Sequence, residues 1–102
     1  MKACEGAYLS AVAALDCVLC ALLGRPDVPG QIHHIREGQG AAQRAQNWLT
    51  VCLCERCHLG PHGIHGDRQL LHSAKVDEMD LLAITVERVW RALWENAPKA
   101  YR

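Results

Sequence analysis

The chain has 102 residues, half of them apolar but with no phenylalanine, three tryptophans and two tyrosines, and its eleven basic side chains balance eleven acidic ones. That length accommodates one small domain, residues 1–102, in the size range where a bound metal contributes materially to stability, and the composition calls for a core of Ala, Leu and Val that suits helices more than a sheet. A net charge of zero excludes a protein that grips nucleic acid through a global positive field, so any phosphate contact must be local.

Residues 6–16, GAYLSAVAALD, carry Tyr8, Val12 and Leu15 at helical intervals and predict a short amphipathic helix. The apolar run from Ala11 to Leu23 is broken by Asp16 and two cysteines, which excludes a convincing signal peptide or membrane span. Without an export signal the expected location is the cytoplasm, where six cysteines read as metal ligands rather than as three disulfides. Cys17-Val18-Leu19-Cys20 has the interval of a tight knuckle, and Gly24 and Pro26 stop any helix after it. After the turn-rich connector RPDVPG, Gln31 to Ile35 reads as a short strand. Consecutive strand residues face opposite ways, so His33 and His34 cannot do the same job.

The glycine-bearing segment from Glu37 to Gln46 predicts a loop with at most one helical turn, and WLTVCL, Trp48 to Leu53, a second strand that pairs with the first as a hairpin. From Asn47 to His65 the chain places three cysteines and three histidines in nineteen positions, a density unlike core filling. Gly60, Pro61, Gly63 and Gly66 exclude a regular helix after His58. A helical segment is expected over Asp67 to Ser73 and a stronger one over Glu78 to Glu95. Asp77 is the expected N-cap of the latter, with Asp80 three residues on; Leu82, Val86, Val89, Trp90 and Leu93 form its apolar stripe, and Pro98 closes it.

Two C-x-x-C pairs flanking a hairpin suit one structural zinc ion held by Cys17, Cys20, Cys54 and Cys57. Cys52 competes for this role, but Cys52 to Cys57 is a less usual ligand interval, and a small buried hydrophobe is the preferred reading; Cys4 reads as a free thiol. Adjacent His33 and His34, with further histidines past the second cysteine pair, suit a hydrolytic site in which one imidazole binds a divalent ion and its neighbour takes a proton from water. His72 reads as an ordinary helix residue, Trp48 as core more readily than as a base-stacking platform, and Arg36, Arg44, Arg56 and Arg68 as flanking charges that either contact phosphates or are simply solvated.

The ordered set Cys-x-x-Cys, His-His-Ile, Asn and Cys-x-x-Cys-His resembles the HNH endonucleases, and the runs HHIREGQG, NWLTVCLCERCH, GPHGIHGD and DEMDLLA are similar to small phage and prophage HNH proteins related to the recombination-enhancement nuclease Ref. The resemblance spans roughly Leu15 to Val89. It implies an α+β fold: a small ββα-metal finger with a Cys4 zinc site, flanked by an N-terminal helix and C-terminal helices. It further implies His34 as general base, Asn47 as the residue that steadies it, and His33 and His58 as ligands of a catalytic ion. Another ligand is implied from His62 or His65, with His65 preferred for its Gly-Ile-His-Gly setting.

An imidazole shell accepts Zn2+, Mn2+ or Ni2+ and does not depend solely on Mg2+. The expected activity is metal-dependent cleavage or nicking of DNA in phage or prophage DNA processing or recombination. The alternative is a non-catalytic zinc module that binds nucleic acid or protein. Trp90 and Trp94 make the last helix a surface for a second copy or a protein partner.

Overall fold

The computed structural model describes residues 1–36, Gly40 and 45–97; Arg44, Pro98 and most of the 37–46 loop lie outside them. Among the described residues, five helices and one two-stranded sheet make an α+β arrangement in the order α1 (Ala3–Ala13), α2 (Val18–Leu22), β1 (Gln31–His34), β2 (Thr50–Leu53), α3 (Glu55–Leu59), α4 (Gln69–Ala74) and α5 (Glu78–Glu95).

The first helix begins and ends three residues earlier than its periodicity predicts. Leu15 and Asp16 are drawn out of it because Asp16 forms a β-bridge opposite Pro29, and the next amide, Cys17 N, donates to Val28 O at 2.6 Å. The knuckle at Cys17 is itself the start of α2, with the Cys17 sulfur capping the helix by accepting from Cys20 N at 3.4 Å. Gly24 ends that turn at φ 83°, a left-handed conformation that glycine adopts without steric cost.

The hairpin is antiparallel, pairing Gln31 with Leu53, Ile32 with Cys52, His33 with Val51 and His34 with Thr50. Cross-strand partners share a face, and the two faces meet different packing. One, with Val51 and Leu53, lies in a cluster with Leu19, Ile35, Ile64, Leu71 and Leu81 and contains all four paired cysteines. The other, with Ile32 and Cys52, packs under α1 against Val12, Tyr8 and Leu15, and against Val89 of α5. Gly30 enters the hairpin so closely that a Cβ there would stand 2.7 Å from the Leu53 carbonyl carbon. The second strand starts at Thr50 rather than Trp48, because Asn47 and Trp48 form the turn that leads into it and the Thr50 hydroxyl donates to Asn47 O at 3.0 Å.

The last helix has the expected span and an Asp77–Asp80 capping box, each side chain accepting from the other's backbone N–H at 2.8 and 3.0 Å. Its buried face keeps Val89 and, partly buried, Leu82 of the expected stripe but not the rest. Glu78, Leu81, Thr85 and Val89 point inward, whereas Val86, Trp90 and Leu93 are exposed, Trp90 at 61%. The stripe is rotated because two polar residues are buried with partners: the Thr85 hydroxyl donates to Leu81 O at 2.8 Å, and Glu78 meets His33. Trp48 is likewise 43% exposed and not core, lying against Tyr8 with ring centroids 5.1 Å apart. Among the described residues, leucine, valine, isoleucine and cysteine fill the core, and alanine contributes only partly buried side chains. No described helix is long and apolar enough to cross a membrane.

Candidate metal centres and the histidine cleft

The two C-x-x-C pairs converge. The Cys20 sulfur stands 3.6 Å from those of both Cys54 and Cys57, and the sulfurs of Cys17, Cys20, Cys54 and Cys57 all lie within 4.8 Å of one another. Four sulfurs around a zinc ion at about 2.3 Å form a tetrahedron with edges of about 3.8 Å, so these side chains fit a structural ion with little rearrangement. All six cysteines are free. Hydrogen bonding from Cys57 brings the Cys17 thiol down to about 4, the same contact pushes Cys57 far upward, and burial pushes Cys20 up to about 11. A cation bound there displaces the protons of Cys20 and Cys57, which is the usual coupling of metal binding to proton release. Cys52 stays outside the cluster. It is fully buried on the other face of the hairpin, and its thiol donates to Leu15 O at 2.9 Å.

A second convergence lies beyond it. His33 on β1, His58 on α3 and His65 in the following loop place one ring nitrogen each within 4.8 Å of the others. The rings meet at angles rather than stacked flat, with centroids 4.9 Å apart for His33–His58, 5.2 Å for His33–His65 and 4.8 Å for His58–His65. The glycine-rich loop achieves this by folding back on α3: Ile64 N donates to Cys57 O at 2.8 Å, and His65 N to His58 O at 3.1 Å. Gly63 permits the approach, since a Cβ on it would stand 2.5 Å from Cys57 O. His62 is turned outward by the same loop, its Nδ1 3.0 Å from the Asp67 carboxylate. Desolvation holds His33 and His58 below the ordinary imidazole value, with the neighbouring imidazoles acting in the same direction. Burial that disfavours the charged forms of His33 and His58 leaves these rings suited to binding a cation.

His34 takes the opposite face of β1 from His33, as strand alternation requires, yet both border one cleft of about 480 Å3 with Arg36, His65, Arg68 and Glu78. His34 Nε2 lies 3.1 Å from Asn47 Oδ1, and Asn47 Nδ2 donates to Glu5 Oε2 on α1 at 3.3 Å. An amide oxygen only accepts, so His34 Nε2 carries hydrogen and the lone pair of a neutral ring resides on Nδ1. Of the flanking arginines, Arg36 and Arg68 line this cleft, while Arg56 borders a separate hollow beside Leu59 and Pro61. His72 is exposed on α4.

Three contacts have no sequence signature: Glu5 on Asn47, Gln31 Nε2 at 3.0 Å from His58 Nδ1, and Glu78 Oε1 at 3.2 Å from His33 Nε2. Each partner lies more than 25 positions away, as 42, 27 and 45 residues separate the pairs, so local spacing carries no trace of them. No protein-family model, curated protein or solved structure matches the chain.

Proposed function

We propose that this chain hydrolyses phosphodiester bonds in DNA, as an HNH-type endonuclease or nickase, with a structural Zn2+ on the four cysteines and a divalent ion (Zn2+, Mn2+, Ni2+ or Mg2+) on His33, His58 and His65. The observation that carries the reading is the meeting of three imidazoles, His33, His58 and His65, two of which border one cleft with a fourth, His34, whose ring is fixed by Asn47. The succession of hairpin and short helix, β1, β2 and α3, supports the ββα-metal finger implied by the motifs.

A divalent ion bound there supplies positive charge to the scissile phosphate and the departing oxygen. The chain supplies the rest. Asn47 holds His34 Nε2–H and leaves Nδ1 to accept the proton of an attacking water, and Glu5 orients Asn47 in turn. Arg36 and Arg68 border the cleft where phosphate oxygens would lie. With a net charge of zero, the grip on DNA is local and salt-sensitive. A role in phage or prophage DNA processing follows from the resemblance alone.

Relaxation of supercoiled plasmid by metal-stripped and re-metallated protein tests this. The native chain is expected to cleave only with added divalent ion, and His34→Ala to lose at least a hundredfold in rate at matched zinc content. A native protein that fills both sites and leaves every DNA form intact would overturn the nuclease reading in favour of a zinc-bearing interaction module.

A further inference from the structure

Glu78 is one of only four buried polar or charged residues described, 8% exposed at the first turn of α5. Helix N-termini favour carboxylates, but that alone is satisfied by an exposed side chain and does not require burial. Its surroundings ask for more. Oε1 accepts from His33 Nε2 at 3.2 Å, His33 is itself 4% exposed, and Arg68 Nη2 approaches the same oxygen at 3.7 Å. Arg68 reaches this point from a left-handed backbone, φ 64°, where a residue other than glycine is strained. Glu78 is not among the three side chains whose donor atoms lie mutually within 4.8 Å, although it touches one of them and lines the same cleft.

We propose that Glu78 is a positioning residue for an ion held by His33, His58 and His65: by accepting the Nε2 hydrogen of His33 it fixes that ring's tautomer and leaves the Nδ1 lone pair free to bind. This rests on the reading of the three histidines as an ion site. The contact does a second thing. Three neutral imidazoles around a divalent ion leave a charge of two in a partly buried place, and one adjacent carboxylate halves it. Arg68 sits on the outer side of that carboxylate, so a phosphate entering the cleft meets an arginine already located beside the ion site.

The test uses the full chain with its tetracysteine site filled and reads binding of a second equivalent of Zn2+ by competition with a chelator of known affinity. Replacing the carboxylate partner of a metal-binding histidine weakens binding about 10–100-fold. Glu78→Ala is expected to fall in that range. Glu78→Gln, which keeps an acceptor but not the charge, is expected to weaken binding less. Nitrogen-15 shifts of the His33 ring, read at matched folded fraction, are expected to show Nε2–H in the native chain and in Glu78→Gln but a tautomer mixture in Glu78→Ala. Second-site affinities within twofold of native in both variants, with His33 remaining Nε2–H, would overturn the proposal. If His58→Ala abolishes second-site binding in the same series, that failure belongs to Glu78 alone. A native chain that binds no second ion overturns the histidine site and this proposal together.

Discussion

Replacing Cys57 by serine is expected to cost the fold its ion site. Cys57 is fully buried, its sulfur is 3.6 Å from that of Cys20, and with Cys54 it joins the end of β2 and the start of α3 to α2. Four of the fifteen buried apolar side chains among the described residues are the clustered cysteines, so the ion site is part of the larger core cluster. Zinc on such a site contributes about 10–16 kcal/mol in small finger peptides, as large as the roughly 5–15 kcal/mol total stability of an ordinary domain. Losing only about 4 kcal/mol of this lowers Tm by about 15–30 °C in a domain of this size. Cys57→Ser, or native protein stripped by chelator, is therefore expected to lose its cooperative melt or to melt at least about 15 °C lower, as followed by circular dichroism beside zinc analysis. A zinc-free chain that melts within about 5 °C of the native one would refute the assignment of the four cysteines as a structural ion site.

The other expectations are smaller in scale. Cys52→Ala removes a thiol that donates to Leu15 O and leaves a small void, costing about 1–2 kcal/mol by denaturant titration while zinc content stays at the native level; lost zinc would return Cys52 to the ligand set. Gly63→Ala forces a Cβ to within 2.5 Å of the Cys57 carbonyl and is expected to cost about 1–3 kcal/mol and weaken ion binding at the histidines, with unchanged stability refuting the close-packed loop. The His58 pKa is depressed by burial, so the folded chain binds fewer protons there than the unfolded chain. Its contribution is retained above the ordinary value of 6.5 and is lost as pH falls through the folded value. Native protein without an ion on the histidines should thus lose stability below pH 6.5 more steeply than His58→Gln, and parallel pH profiles would contradict the burial argument.

Cysteine spacing and hairpin alternation made much of this arrangement legible in advance. Two C-x-x-C intervals are a local record of a tetrahedral centre, and Asp77 with Asp80 is a local record of a helix start, so both were readable from short windows. Alternation also separates His33 from His34, because the period of a strand does not depend on what packs against it. The buried face of α5 was readable only in part, at Leu82 and Val89. Hydrophobicity picks Val86, Trp90 and Leu93, yet the helix turns Thr85 and Glu78 inward, since a hydroxyl that can bond its own backbone and a carboxylate that can meet a histidine are acceptable in the interior. The start of β2 moved for a related reason, with a turn at Asn47 and Trp48 taking residues whose composition favours a strand. His65 could be preferred to His62 from its glycines, but the fold-back that brings it to His58 depends on backbone hydrogen bonds to α3 that spacing does not specify.

The most direct test follows plasmid cleavage against equivalents of metal added to stripped, folded-back protein, with His33→Ala/His58→Ala as the companion chain. The account predicts that the first equivalent goes to the four cysteines and restores the melt without cleavage. Nicking then appears with the second equivalent in the native chain alone. Cleavage that is complete after the first equivalent, or that persists in the double variant, would contradict the histidine cleft as the place where the phosphodiester is broken.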